Sequence, residues 1–164
     1  MAIAVDLADL PATAHLAQTI APLLKRGDFI ALCGDLGAGK TTFTQYLLAF
    51  YGIHQVNSPT FTLHHTYEAE LLIHHLDLYR LEREEELLQL GWDELLSDLA
   101  VVIVEWMDKF PGLYPREFLQ INFFYAFEGR RALLTGRGSL WQDTVACLSL
   151  TQLPDKKGDY LCFC

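Results

Sequence analysis

Gly34-Asp35-Leu36-Gly37-Ala38-Gly39-Lys40-Thr41-Thr42 is the stretch that decides the fold. Gly34, Gly39, Lys40 and Thr41 satisfy the pattern G-x-x-x-x-G-K-[ST], and Gly37 adds a third glycine inside the loop. Just ahead of it, Phe29-Ile30-Ala31-Leu32-Cys33 is a short apolar run fit for a buried strand. Just behind it, Phe43, Tyr46, Leu47 and Phe50 recur at i, i+3, i+4 and i+7, so a helix begins at the loop. Strand, glycine loop and helix together are the context that a phosphate-binding P-loop requires. Glycines let successive backbone N–H groups converge on phosphate oxygens, and the helix N-terminus adds partial positive charge. Lys40 is expected to reach the β- and γ-phosphates, and the Thr41 hydroxyl to ligate Mg²⁺. The stretch implies nucleotide binding.

The rest of the chain bounds what such a site can serve. With 164 residues, 51% of them apolar, there is room for one domain with a real core. No apolar run is long enough for a membrane span, and the first residues lack a basic region and cleavage site. A soluble, unexported, cytoplasmic protein without a membrane partner is the expectation. Cys33, Cys147, Cys162 and Cys164 form no familiar zinc or disulfide framework, which suits a reducing compartment. The net charge of −9 argues against holding nucleic acid directly, because phosphate binding needs a basic surface. Any action on RNA is expected to run through another protein.

Upstream of the loop, residues 2–6 suggest a strand. Leu16, Ile20, Leu23 and Leu24 mark an amphipathic helix capped by Asp9, with Pro11 in its first turn and Gly27 at its end. Downstream, Asn57-Ser58-Pro59-Thr60-Phe61 is a loop, since Pro59 biases Ser58 toward extended backbone. Thr62 to Tyr67 and Leu71 to Leu78 form a predicted hairpin, in which a tight turn sets His65 opposite His74 and His64 opposite His75. Those histidines invite a zinc site, but alternation leaves at most one facing pair per side, so ordinary strand histidines are expected. Glu82 to Leu90 is a short acidic helix, and Trp92, Leu95, Leu96 and Leu99 give a second helical stripe.

Two carboxylates end apolar segments. Asp77 sits among apolar residues at the end of the hairpin's second strand, where it either caps the next helix or serves chemistry; position alone does not choose. Glu105 follows Val101-Val102-Ile103-Val104, a run of β-branched residues expected at the centre of a parallel sheet. The C-terminal ends of such strands are where α/β folds place ligands. An unpaired carboxylate there is costly, so Glu105 is the candidate acidic partner of Mg²⁺. After Pro111 and Pro115, alternation from Leu119 to Phe127, a turn at Glu128-Gly129 and a return from Arg131 to Thr135 predict an antiparallel hairpin. Arg130, Arg131 and Arg137 form the one dense basic cluster, expected as a solvated strand edge with a contact to nucleotide or partner as the alternative. Beyond Gly138 periodicity stops, and Trp141 to Leu150 leaves room for one more element before a tail. The expected architecture is α/β: a single P-loop NTPase-like domain over residues 1–138, with a mixed, mostly parallel sheet flanked by helices and ending in an antiparallel hairpin. A C-terminal extension of unknown structure is expected over residues 139–164.

The motifs, in their order, resemble one family, the ATPase subunit (TsaE) of the bacterial machinery that makes threonylcarbamoyladenosine in tRNA. The match rests on Gly-Asp-Leu-Gly-Ala-Gly-Lys-Thr-Thr at 34–42, Ser-Pro-Thr-Phe at 58–61, His-Leu-Asp-Leu-Tyr-Arg-Leu at 75–81 and Glu-Trp at 105–106. It spans residues 10 to 138. A P-loop alone is shared by many proteins; the four motifs together are specific. The resemblance implies a sheet of about seven mixed strands with helices on both sides and no separate lid domain. It implies that ATP hydrolysis supports a threonylcarbamoyltransferase assembled with its inactive paralogue, with tRNA reached only through that complex. It further implies that Thr41 and Glu105 hold Mg²⁺, that Thr60 lies in a loop sensing the γ-phosphate, and that Asp77 is the catalytic or water-positioning carboxylate alongside Lys40. Trp106 is expected beside the nucleotide, and Thr13 near its base.

Other nucleotide-binding classes fit less well. A GTPase would need Asn-Lys-x-Asp for guanine, and the only asparagines are Asn57 and Asn122. A small-molecule kinase of the P-loop class needs an arginine-bearing lid and an acceptor pocket, whereas the segments after Glu105 suggest strands. A nucleotide-gated scaffold without turnover is the remaining class.

Overall fold

The computed structural model describes residues 2–97 and 99–150. Its centre is a seven-stranded sheet in the order β1-β7-β6-β2-β5-β4-β3. The strands are β1 (Ala2–Leu7), β2 (Phe29–Gly34), β3 (His64–Glu68), β4 (Leu72–Asp77), β5 (Val101–Glu105), β6 (Phe118–Tyr125) and β7 (Arg130–Arg137). The four inner strands β6, β2, β5 and β4 run parallel. Antiparallel strands close both sides, β3 on β4 at one and β7 and β1 beyond β6 at the other. This is the expected mixed α/β sheet with its terminal hairpin.

Burial on both faces explains why the central pair, β2 and β5, is apolar up to its last residues, while alternation sends successive side chains to opposite sides. On β2, Ile30 and Leu32 enter one core, and Phe29 and Ala31 the other; on β5, Val101 and Ile103 part from Val102 and Val104 in the same way. The first core is covered by α1 (Leu10–Ile20), α2 (Lys40–Phe50) and α5 (Ser139–Leu150). The second is covered by α3 (Glu84–Gln89), α4 (Trp92–Ser97) and the turns around Met107 and Phe110. There Trp92 sets its ring edge-on to Phe29 at 5.8 Å and donates its indole N–H to the Leu113 carbonyl at 3.2 Å. Truncating so buried an indole costs about 3–5 kcal/mol.

Helix α1 is capped as expected, Asp9 accepting the Ala12 N–H at 2.9 Å. It then tightens into a 3-10 turn over Ala21–Leu23, containing Pro22, and the change of residues per turn carries Leu23 out of the stripe to 41% exposure. Leu99 also leaves its predicted stripe, because α4 ends at Ser97 and Leu99 stands in solvent. The β3–β4 register corrects the predicted pairing by one residue. His65 lies opposite His75 and Thr66 opposite His74, because the strands part at Glu68 and Leu72, leaving three residues in the connection rather than a tight turn. His64 and His74 still meet diagonally, their ring nitrogens 3.0 Å apart. Residues 139–150 form α5, whose Trp141, Val145 and Leu148 are buried in the first core; Cys162 and Cys164 lie outside the described residues.

Candidate nucleotide site

The parallel strands β2, β5 and β4 end side by side, so the loops that leave them share one mouth. Leu32 pairs with Glu105, and Glu105 with Asp77. The glycine loop leaves β2 here. Gly34 has φ +122°, and a Cβ on it would lie 2.3 Å from the Phe123 carbonyl oxygen of β6, so only glycine lets the loop begin this close to the sheet. The loop then delivers Lys40 to the first position of α2. Lys40 is 4% exposed, its ammonium donating to the Gly34 and Asp35 carbonyls at 2.6 and 2.9 Å and resting 3.7 Å from the centre of the Trp106 ring. Burial pulls its pKa below the ordinary lysine value, against the opposing pull of the Glu105 and Asp77 carboxylates.

Trp106 reaches that position through an unusual backbone. With φ +65° it is left-handed, a conformation rare for a large side chain, and its N–H is tied to the Leu32 carbonyl at 2.9 Å. The kink turns the chain off the end of β5 directly after Glu105. Glu105 itself, 2% exposed, accepts the Thr41 hydroxyl on Oε2 at 2.9 Å and lies 3.0 Å from His75 Nε2 through Oε1.

Asp77 organises the other wall. Its Oδ2 accepts the Ser58 hydroxyl at 2.8 Å and the Thr60 hydroxyl, and its Oδ1 accepts the Tyr79 N–H at 3.0 Å. Of the two readings open for Asp77, the helix cap is not made: α3 begins after Arg83, and Asp77 closes a local turn at Tyr79 while anchoring the loop on its other side. Three of a carboxylate's roughly four lone-pair positions are thereby used.

A cleft of about 220 Å³ gathers most of the residues the sequence singled out: Leu36, Gly37, Gly39, Lys40, Thr41, Thr42, Thr60, Asp77, Glu105 and Trp106 all line it. Gly34 and Asp35 stand behind, supplying carbonyls to Lys40. Across the glycine loop a second cavity of about 250 Å³ is lined by Thr13, Ala38, Asp9 and Arg130 among others, so Thr13 belongs to this neighbouring space rather than to the cleft. The basic cluster divides. Arg130 stacks on Tyr125 at 4.2 Å and turns toward the Gly37 carbonyl, whereas Arg131 pairs with Asp6 at 2.6 Å on the exposed edge.

Sequence reasoning gave no role in this site to Ser58, His75 or Tyr125, although the first two stand in the motifs at 58–61 and 75–81. Ser58 precedes Thr60 by two residues and shares its acceptor. His75 precedes Asp77 by two on a strand, which puts both on one face, and that periodicity is a signal already present in the sequence. Tyr125, whose hydroxyl donates to the Leu36 carbonyl at 2.6 Å, gave no signal, because the contact joins residues 89 apart.

The arrangement can hold a chain of phosphates: backbone N–H groups and an ammonium at one side, an oxygen-only donor pair at Thr41 and Glu105, and a second carboxylate facing across. Comparison with known proteins identifies the family. The family model described as threonylcarbamoyl adenosine biosynthesis protein TsaE matches residues 7–133. The tRNA threonylcarbamoyladenosine biosynthesis protein TsaE of Bacillus subtilis is 44% identical over 123 residues, 74% of this chain and 77% of that one. Its counterpart from a Nostoc species is 38% identical over 130 residues, covering 76% and 80%. The crystal structure of Bacillus subtilis YdiB superposes with a TM-score of 0.78 at 30% identity, over 92% of this chain and 95% of that one. The glycine loop, the two strand-end carboxylates and these matches lead to one conclusion: the chain belongs to the TsaE family.

Proposed function

We propose that this protein binds ATP with Mg²⁺ at the mouth of the sheet and hydrolyses it slowly, as a cytoplasmic subunit required for threonylcarbamoyladenosine formation in tRNA. It acts with a threonylcarbamoyltransferase and that enzyme's inactive paralogue, and it meets tRNA only through them. The observation that carries the proposal is the Thr41–Glu105 contact beside the buried Lys40. A half-buried hydroxyl bonded to a buried carboxylate, next to an ammonium, suits a cation and a polyanion together.

The donor chemistry fits Mg²⁺. Thr41 and Glu105 offer oxygen alone, and a hard ion that keeps several waters and takes further oxygens from phosphates needs few protein ligands. An ion held there by Thr41 and Glu105 would supply charge neutralisation for the bound phosphates. The protein's own residues do the rest. Loop N–H groups and Lys40 orient the phosphates. The remaining lone pair of Asp77 accepts a hydrogen bond from the attacking water, and the Ser58 and Thr60 hydroxyls keep the carboxylate aimed. The second cavity, with Thr13 and Arg130, is the space beside the loop into which the base would extend. The acidic surface supports the indirect route to tRNA.

Phosphate release should be followed for the protein alone, and again with purified transferase subunits. Slow turnover that rises when the partners are added is expected. Fast turnover indifferent to partners, with a small acceptor becoming phosphorylated, would mean a P-loop kinase instead.

A further inference from the structure

Alternation on β4 and β5 puts Ile73, His75 and Asp77 on the same side of the sheet as Val101, Ile103 and Glu105. His75 is fully buried there, and its Nε2 lies 3.0 Å from Glu105 Oε1. A carboxylate oxygen facing a ring nitrogen at that distance accepts, so Nε2 carries the hydrogen. The other oxygen, Oε2, accepts from Thr41 at 2.9 Å, and the carboxylate is therefore gripped at both ends. The far nitrogen of the ring, Nδ1, is buried without a hydrogen-bond partner. An imidazole retained only to fill space would carry that unmet polar atom at a cost an apolar side chain avoids.

We propose that His75 is a positioning residue: its Nε2–H fixes the Glu105 carboxylate so that Oε2, together with Thr41, faces the cation of the Mg–ATP site proposed above. Outer hydrogen bonds of this kind orient metal-binding groups and tune their affinity elsewhere in proteins. Reach then separates the conservative substitutions. The amide nitrogen of Gln extends about as far as Nε2, whereas that of Asn stops near the position of Nδ1.

Two measurements test this. Long-range ¹H–¹⁵N correlation on the wild-type protein should report hydrogen on Nε2 of His75; hydrogen on Nδ1 alone would overturn the proposal without any variant. Calorimetric ATP binding across a Mg²⁺ series should then compare wild type, His75→Asn and His75→Gln, each checked for folding by circular dichroism. His75→Asn should raise the half-saturating Mg²⁺ about tenfold or more, and His75→Gln should bring it back to within about threefold of wild type. A folded His75→Asn with a wild-type Mg²⁺ series would overturn the proposal, as would a folded His75→Gln shifted as far as Asn. If Asn does not fold, the Gln series and the tautomer decide. A wild-type protein that binds ATP without regard to Mg²⁺ would remove the Mg–ATP proposal itself, and is thereby told apart from failure of the His75 role.

Discussion

Replacing Asp77 by Asn changes one atom and should stop most turnover while leaving ATP bound. In the wild type, Oδ1 accepts the Tyr79 N–H at 3.0 Å, and Oδ2 accepts from Ser58 at 2.8 Å and from Thr60. An Asn can keep its oxygen on Tyr79 and turn its NH₂ toward the two hydroxyls, which rotate to accept. All three contacts survive, but each passes from a charged acceptor, worth about 1.5–3 kcal/mol, to a neutral one worth about 0.5–1.5 kcal/mol. Since Ser58 and Thr60 are only partly buried, the summed loss should come to about 1–2 kcal/mol of stability, and the fold should persist. Turnover is hit harder, because an amide can neither take a proton from water nor stabilise the charge as it develops. A loss of tenfold or more, equivalent to about 1.4 kcal/mol or more at the transition state, is expected. ATP affinity should stay within about threefold if, as proposed, Asp77 acts on the water rather than on the phosphates. Phosphate release and calorimetric binding on the same preparation test this together. A variant that loses ATP affinity tenfold but turns over normally at saturation would refute the assignment.

Other perturbations probe the same geometry. Thr41→Ala removes one oxygen donor and leaves Glu105 Oε2 without its partner, so the half-saturating Mg²⁺ should rise by about tenfold; an unchanged Mg²⁺ titration would take Thr41 out of the ligand set. Gly34→Ala forces a Cβ to within 2.3 Å of the Phe123 oxygen at a φ of +122°, which should cost about 2–5 kcal/mol and lower the melting temperature by roughly 5–20 °C; a variant melting with wild type would contradict the close approach. Burial pushes the Cys33 thiol up to about 11 from 9.0, leaving about a hundredfold less thiolate at pH 8, while Cys147 is exposed. Peptide mapping after brief alkylation should find Cys147 modified and Cys33 intact until denaturant is added, and early labelling of Cys33 would count against its buried position.

The sequence carried the parts of this molecule that are local. The glycine loop, the four β-branched residues before Glu105 and the Asp9 cap each announce themselves within a few positions, and each stands where expected. What stayed illegible depends on distance or on a single residue of register. The β3–β4 connection proved three residues long, which slid the histidines past one another. Leu23 left its helical stripe where a 3-10 turn replaced the last turn of helix. The helix after Gly138 is hard to read although the three residues that meet the core, Trp141, Val145 and Leu148, recur at i, i+4 and i+7; the apolar Leu140, Ala146 and Cys147 beside them blur the stripe. Within the site, Glu105 and Asp77 were visible as strand ends. Their grip by Thr41, His75, Ser58 and Thr60 was not, because it arises only once the loops of three different strands meet at one mouth.

Whether this mouth binds ATP through Mg²⁺ is decided by calorimetry of ATP binding with Mg²⁺ and with chelator, on wild type, Lys40→Ala and Glu105→Gln. Wild type should bind ATP more tightly with Mg²⁺ than without, Glu105→Gln should lose most of that gain, and Lys40→Ala should bind weakly under both conditions while remaining folded. Wild-type affinity in a folded Lys40→Ala, or an affinity in wild type that ignores Mg²⁺, would mean that the mouth is not a Mg–ATP site.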